Sequence, residues 1–249
     1  MRKKIIQILL EIRKLLRDKF HQYNEHLPFI LTLFIVLILV VLGINIFISL
    51  TETLHSDALA KYDCKITEFV ISYRTPPLNK FLQFITEVGD FYGYLVIAIV
   101  STIIFYLKFK NWRYVVEIFF VLIVSGLSNV ALKNVINRAR PSAEHLVSVE
   151  TLSYPSGHAM SAIAFYGFLI YLVYTFKLKS WIKIGLIFLF TFLILAIGIS
   201  RIYLGVHFPS DVVGGYIAGF IWVIFCIVLF HIIDLLRKRR KNRKVKDTD

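Results

Sequence analysis

Between Pro28 and Leu50 the chain carries no charged residue. A run of that length is about what a helix needs to cross the hydrocarbon core of a bilayer. Further apolar runs lie at about Phe91–Leu107, Tyr114–Leu132, His158–Phe176, Ile184–Ser200 and Val212–Ile233, with charged clusters between them. Within lipid each backbone N–H and C=O must be satisfied inside its own segment, so such runs fold as helices. The chain therefore reads as all-α, a polytopic membrane helix bundle with six transmembrane helices. A composition that is 57% hydrophobic, with mean hydropathy +0.70, agrees, being too apolar for an ordinary soluble domain.

The net charge of +13 raises nucleic acid as a partner. The placement of the cations gives a different account. Seven Lys/Arg lie in residues 1–27 and eight in the tail, and three follow each of the second and fourth spans. With six spans these four segments share one side, and together they hold 21 of the 29 basic residues. That side is read as the cytoplasm, with both termini on it. Trp112 and Trp181 fall in the same two loops, as an interfacial aromatic belt requires. The cations then face anionic headgroups, and no nucleic-acid partner is expected.

Three parts follow from this pattern. Residues 1–27 are a basic amphipathic segment: Ile5, Ile8, Leu9, Ile12, Leu16 and Phe20 share a helical face suited to the membrane surface or to a partner. Glu11 and Arg13 interrupt it, so it does not read as a signal peptide. Residues 28–233 form the six-span domain, and residues 234–249 a basic cytoplasmic tail. The segment 51–87 is too charged to span and is expected to include a short interfacial helix around Leu78 to Ile85. Asp90 is a plausible N-cap for the second span. Glu117, three residues into the third span, is expected at the interface. Cys64 is placed in a loop and Cys226 in a span, so no disulfide is expected, and the histidines show no metal-ligand spacing with them.

Candidate chemistry concentrates in the outward segments after spans three and five. The first opens with Lys133; Arg140 follows seven residues later, before Pro141. Two helical turns would put both cations on one face if the helix continues. Arg138 lies off that face and is left as a solvated or headgroup charge. Next comes Tyr154-Pro155-Ser156-Gly157-His158, just ahead of a span. Free N–H groups at a helix start, with a Ser hydroxyl and a Gly that lets the backbone approach, make an anion site. Plain helix capping would account for Ser156 and Gly157 but not for His158 beside them. The second segment reads Ser200-Arg201-Ile-Tyr-Leu-Gly-Val-His207-Phe-Pro-Ser-Asp211. A carboxylate four residues after a histidine can share a helical turn with it and hold its tautomer. An arginine beside such a pair points to phosphate, whose oxygens its planar fork binds. A loop histidine and an Asp cap would also account for this segment taken alone. Together the segments supply three cations and a helix N-terminus, enough to stabilise a phosphoryl group in transfer without a metal. One histidine must attack and the other must protonate the leaving oxygen.

Lys133-x6-Arg140-Pro141, Pro155-Ser156-Gly157-His158 and Ser200-Arg201-x5-His207-x3-Asp211 match, complete and in order, the three signature blocks of the type-2 phosphatidic acid phosphatase superfamily. The blocks are short, and the six-span plan extends the resemblance across residues 28–233. It implies that His207 forms a phosphohistidine, that Asp211 orients His207, and that His158 protonates the leaving oxygen and then activates water. It implies that Lys133, Arg140, Ser156, Gly157 and Arg201 bind phosphate, with no metal or other cofactor. The expected substrate is a phosphorylated lipid at the outer leaflet of a bacterial cell membrane. Phosphatidic acid, phosphatidylglycerol phosphate and undecaprenyl diphosphate would each suit. A vanadium haloperoxidase shares the motifs but is soluble. A phosphorylated-lipid transporter or flippase would gather its charges at mid-membrane, and a dead binding protein would not keep each motif position filled. The lipid and the oligomeric state stay open.

Overall fold

The computed structural model describes residues 27–110, 112–149 and 151–246, with Glu11 apart from them. The amphipathic helix expected at residues 1–27 lies outside the described residues but for Glu11 and Leu27. The described chain forms eight helices and no strand: α1 (Leu27–Thr53), α2 (Asp57–Ile71), α3 (Pro76–Val88), α4 (Phe91–Phe109), α5 (Arg113–Ile136), α6 (Gly157–Thr175), α7 (Ser180–Tyr203) and α8 (Pro209–Lys246). Residues 1–41 and 42–249 form two compact units. In the first, the described side chains of α1 are apolar but for Thr32 and mostly exposed, the pattern of a helix that faces lipid. The rest of α1 and all other helices belong to the second.

Among the described residues α1, α5, α6, α7 and α8 are long and apolar enough to cross a membrane. Helices α3 and α4 pass the same test only as a pair, bent by 59° at their junction, which gives five such helices, or six if the pair is one span. Local chemistry sets these boundaries. Thr75 accepts from the Leu78 N–H, with Pro76 and Pro77 opening α3. Asp90 accepts from the Phe91 N–H and opens α4 as expected. Lys110 and Asn137, with φ of 51° and 52°, close α4 and α5.

The core is built around α6. Ala159, Met160, Ala162, Phe165, Tyr166 and Phe168 are fully buried there among α5, α7 and α8. Without a strong hydrophobic drive between spans, close packing depends on small residues at the contact. Gly215 of α8 is one: a Cβ there would stand 2.6 Å from the Ser156 carbonyl oxygen. A Cβ at Gly219 would run into the Met160 carbonyl in the same way.

Several sequence expectations change here. Span five does not stop at Ser200; α7 runs on to Tyr203, with Arg201 buried against its neighbours. Cys64 sits exposed on α2, not in a loop, and it and Cys226 are both free. Glu117, expected at the interface, is shielded by its protein neighbours. It is 4% exposed and bonded to Arg113, which also pairs with Asp234. The helix expected around Leu78 to Ile85 is α3. Helix α8 continues past Ile233 without a break.

Candidate active site

The three motif segments meet at one end of the spans. A cavity of about 570 Å³ is lined by Lys133, Arg140, Gly157, His158, Arg201 and His207, together with Thr86, Glu87, Asp90 and Thr151. Six of the eight residues singled out from sequence therefore share one wall. The other two, Ser156 and Asp211, are buried directly behind it.

Lys133 stands on the last turn of α5 and donates to the Thr151 hydroxyl at 2.9 Å. It does not share a helix face with Arg140, because α5 ends at Ile136. Arg140 comes to the cavity from the irregular stretch that follows. There its fork donates to the carbonyls of Thr151 and Val206, each at 2.6 Å. It thus ties two loops together beside His207. The Ser156 hydroxyl makes no cap bond to the first turn of α6 and finds no hydrogen-bond partner, although the residue is fully buried. Asn129 holds the turn by donating to the Pro155 carbonyl at 3.1 Å. A Cβ on Gly157 would meet the Asn129 side-chain oxygen at 2.8 Å, so the approach needs glycine. Arg201, 4% exposed, donates to the Thr86 hydroxyl at 2.6 Å, and its Nε is left without a partner. Buried polar groups are otherwise nearly always paired. The hydroxyls of Thr67, Thr102 and Ser125 are buried without a partner too, so what sets these two donors apart is their place beside the cations.

His207 lies between α7 and α8, not within a helical turn, yet its Nδ1 is 3.5 Å from Asp211 Oδ2. Its Nε2 is 3.4 Å from Arg140 Nη1. A guanidinium only donates, so Nε2 presents a lone pair and Nδ1 carries the proton towards Asp211. Burial lowers the imidazole to about 4, against the hydrogen bond and charge of Asp211, which pull it up. The ring is neutral at physiological pH. Asp211 accepts from the Ser153 hydroxyl at 2.5 Å, from the Phe208 N–H at 2.8 Å and from Arg138 at 2.6 Å. It caps α8 and backs His207 at once, so the two accounts of this residue are not exclusive. His158 lies 3.8 Å from the Asp90 carboxylate across the cavity mouth.

Arg138 is not a solvated charge. Its side chain is 11% exposed and bridges Asp211 to Asp63 of α2. Asp63, Thr86, Thr151 and Ser153 went unseen in the sequence, because each gains its place only from contacts distant in the chain. The one available signal was Arg138 itself, a cation on the side that charge counting leaves poor in cations. A second cavity, about 590 Å³ and mostly apolar, lies against the first. The two share Asp90, Gly157 and His158, and the second runs on to Leu95, Leu122 and Ile123.

Residues 114–233 match the profile of the PAP2 superfamily. Over 179 residues the chain is 34% identical to phosphatidylglycerophosphatase B of Bacillus subtilis (strain 168), covering 70% of this chain and 85% of that one. Over 131 residues it is 28% identical to the lipid A 1-phosphatase of Rhizobium johnstonii, covering 49% of this chain and 50% of that one. The fold overlays the crystal structure of a transmembrane PAP2-type phosphatidylglycerolphosphate phosphatase from Bacillus subtilis with TM-score 0.73, at 29% identity, over 78% of this chain and 96% of that one. LpxE of Aquifex aeolicus gives 0.51 at 27% identity, over 66% and 93%. The chain belongs to the PAP2 superfamily, and within it to the multi-pass membrane lipid phosphatases. It is a phosphoric monoester hydrolase, and the relatives it resembles are lipid phosphatases.

Proposed function

We propose that the protein removes phosphate from lipid phosphates at the outer face of the cell membrane, through a phosphohistidine and without a metal. The observation that carries this reading is His207, backed by Asp211, on the wall of a cavity lined by Lys133, Arg140 and Arg201. The Nε2 lone pair of His207 attacks phosphorus and the P–O bond to the lipid breaks. His158 gives its proton to the leaving oxygen. It then takes a proton from water, whose oxygen attacks the phosphohistidine, releasing phosphate and restoring His207. The three cations, the Ser156 hydroxyl and the N–H groups at Gly157 bind the phosphoryl oxygens. Asp211 holds the tautomer and stabilises the ring as it becomes positive. The apolar cavity beside His158 supports a lipid leaving group.

The charge pattern supports six spans with both termini cytoplasmic, arranged as residues 1–27, a phosphatase domain at 28–233 and a tail at 234–249. The site would then face outward. Similarity to phosphatidylglycerophosphatase B makes phosphatidylglycerol phosphate the first substrate to try, with phosphatidic acid and undecaprenyl diphosphate beside it. The test is phosphate release by detergent-solubilised protein from these three lipids in EDTA, with His207→Ala as control. Release that survives EDTA and vanishes in His207→Ala is expected. Release by His207→Ala would remove it as nucleophile, and loss in EDTA with rescue by Mg²⁺ would end the metal-free mechanism.

A further inference from the structure

We propose that Asp63, on α2, is a positioning residue for the phosphatase reaction: through Arg138 it fixes the Asp211 carboxylate and the chain segment that carries His207. This rests on the reading of His207 as nucleophile. It goes further by bringing in an element that lies outside the three motifs and outside the matched residues 114–233.

The geometry is a closed network. Arg138 donates from Nη2 to Asp63 Oδ2 at 2.8 Å. From Nη1 it donates to Asp211 Oδ1 at 2.6 Å and to the Ser210 hydroxyl at 2.7 Å. Asp63 itself accepts from the Ser210 N–H at 3.0 Å and from its hydroxyl at 2.5 Å. The guanidinium lies over the Phe208 ring, 4.6 Å from its centroid. Phe208, Ser210 and Asp211 are thus all held by one buried pair, and they directly follow His207. Asp63 is 2% exposed and Asp211 fully buried, so water offers them little competition.

Charge gives the network a purpose beyond fixing the loop. When Nε2 bonds to phosphorus the imidazole turns positive. Arg140 from the loop, Arg201 from α7 and Lys133 from α5 line the same cavity and oppose that charge, as does His158 from α6 when it is protonated. Asp211 favours it. Arg138 alone would cancel the field of Asp211, since an ion pair at hydrogen-bond distance is close to neutral from outside. The second carboxylate restores the balance: Asp63, Arg138 and Asp211 together keep one net negative charge behind His207. A group that only held the loop would need no charge, and a neutral amide could have served.

The experiment uses the full chain in detergent with a short-chain phosphatidic acid, comparing wild type, Asp63→Asn, Arg138→Gln and the double variant. Thermal unfolding is measured beside kcat, KM and their pH dependence, each as a ratio to wild type so that ionisation of the substrate cancels. Asp63→Asn is expected to lower kcat about tenfold, as loss of a residue that orients a ligand does, with KM changed less than about twofold. Without Asp63 the positive charge of Arg138 disfavours the imidazolium, so the acid limb of kcat/KM moves to lower pH. Arg138→Gln frees the field of Asp211 and moves that limb to higher pH. The double variant keeps the net charge, so its limb returns to the wild-type position with kcat still reduced. Opposite displacements are a signature that a merely structural pair would not give. Wild-type kcat in folded Asp63→Asn overturns the proposal, as do single variants whose limbs stay fixed or move together. If the single variants do not fold, the double decides: reduced kcat with an unmoved limb upholds it, and unchanged kcat overturns it. His207→Ala run alongside separates the two failures. Turnover by that variant removes the nucleophile reading, whereas its inactivity beside an unimpaired Asp63→Asn removes only the role of Asp63.

Discussion

Gly215→Ala tests whether contact between α6 and α8 sets the spacing of the catalytic groups. Gly215 lies one turn beyond Asp211 on α8 and packs on the turn that opens α6. The added Cβ would stand 2.6 Å from the Ser156 oxygen, 3.0 Å from the Ala159 Cβ and 3.2 Å from the Met160 nitrogen. An ordinary carbon–oxygen approach is about 3.3 Å, so the helices must part by roughly 0.7 Å locally. Two of the three obstacles are backbone atoms, which cannot rotate aside. The strain falls on the bond from the Ser156 N–H to the Asp211 carbonyl, 2.9 Å long, which joins the phosphate turn to the carboxylate behind His207. A misplacement of about 1 Å can cost about a hundredfold in rate. A fall in kcat of about ten- to a hundredfold is therefore expected, with about 1–3 kcal/mol of stability lost to overpacking. The assay is phosphate release at saturating short-chain phosphatidic acid, with thermal unfolding in the same detergent. Gly185→Ala, where a Cβ meets nothing within 4 Å, serves as the control and should behave as wild type. A Gly215→Ala protein with wild-type kcat and unfolding midpoint would refute the argument.

Ser156→Ala removes a buried hydroxyl that has no protein partner, so the unfolding midpoint should hold. If the hydroxyl serves the phosphoryl group, kcat/KM should drop by about tenfold or more, the worth of one hydrogen bond to a charged group; an unchanged kcat/KM would exclude that contact. The third prediction concerns pH. His207 titrates at about 4 in the folded protein, and an unperturbed histidine at about 6.5. The attacking form is the neutral one, so kcat/KM should rise with pH through about 4 and lose this dependence well before pH 7. Between those two values the unfolded chain holds the extra proton, so stability falls as pH is lowered through that window. This group accounts for about 3 kcal/mol of the loss, and flat stability between pH 7 and pH 4 would contradict its burial.

The long apolar helices were legible because lipid imposes a simple rule, and a boundary such as Asp90 carries its own capping chemistry. The motif residues were legible because short spacings hold most of the pattern. What failed shares one cause. Arg201 was read as the end of a span because charge is normally excluded from one, yet a cavity and Thr86 accommodate it inside α7. Arg138 was set aside because its partner, Asp63, lies 75 residues earlier in the chain, beyond any periodicity. The Ser156 hydroxyl was read as either cap or ligand, and it makes no cap bond to α6, a fact that no sequence pattern carries. Glu117 pairs with Arg113 at helical spacing, but the other partner of Arg113, Asp234, lies far along the chain, where no local pattern points to it.

The link between α7 and α8 is only five residues, 204–208, and both helices are of membrane-crossing length. His207 therefore has almost no slack: it cannot reach outward without dragging a span, and the bonds of Arg140 and Asp211 hold it from two more sides. Under the proposed function the protein alone would set the height of His207 relative to the bilayer. The site would then act as a depth gauge, selecting a lipid whose phosphorus arrives at that height while its tail stays in the hydrocarbon.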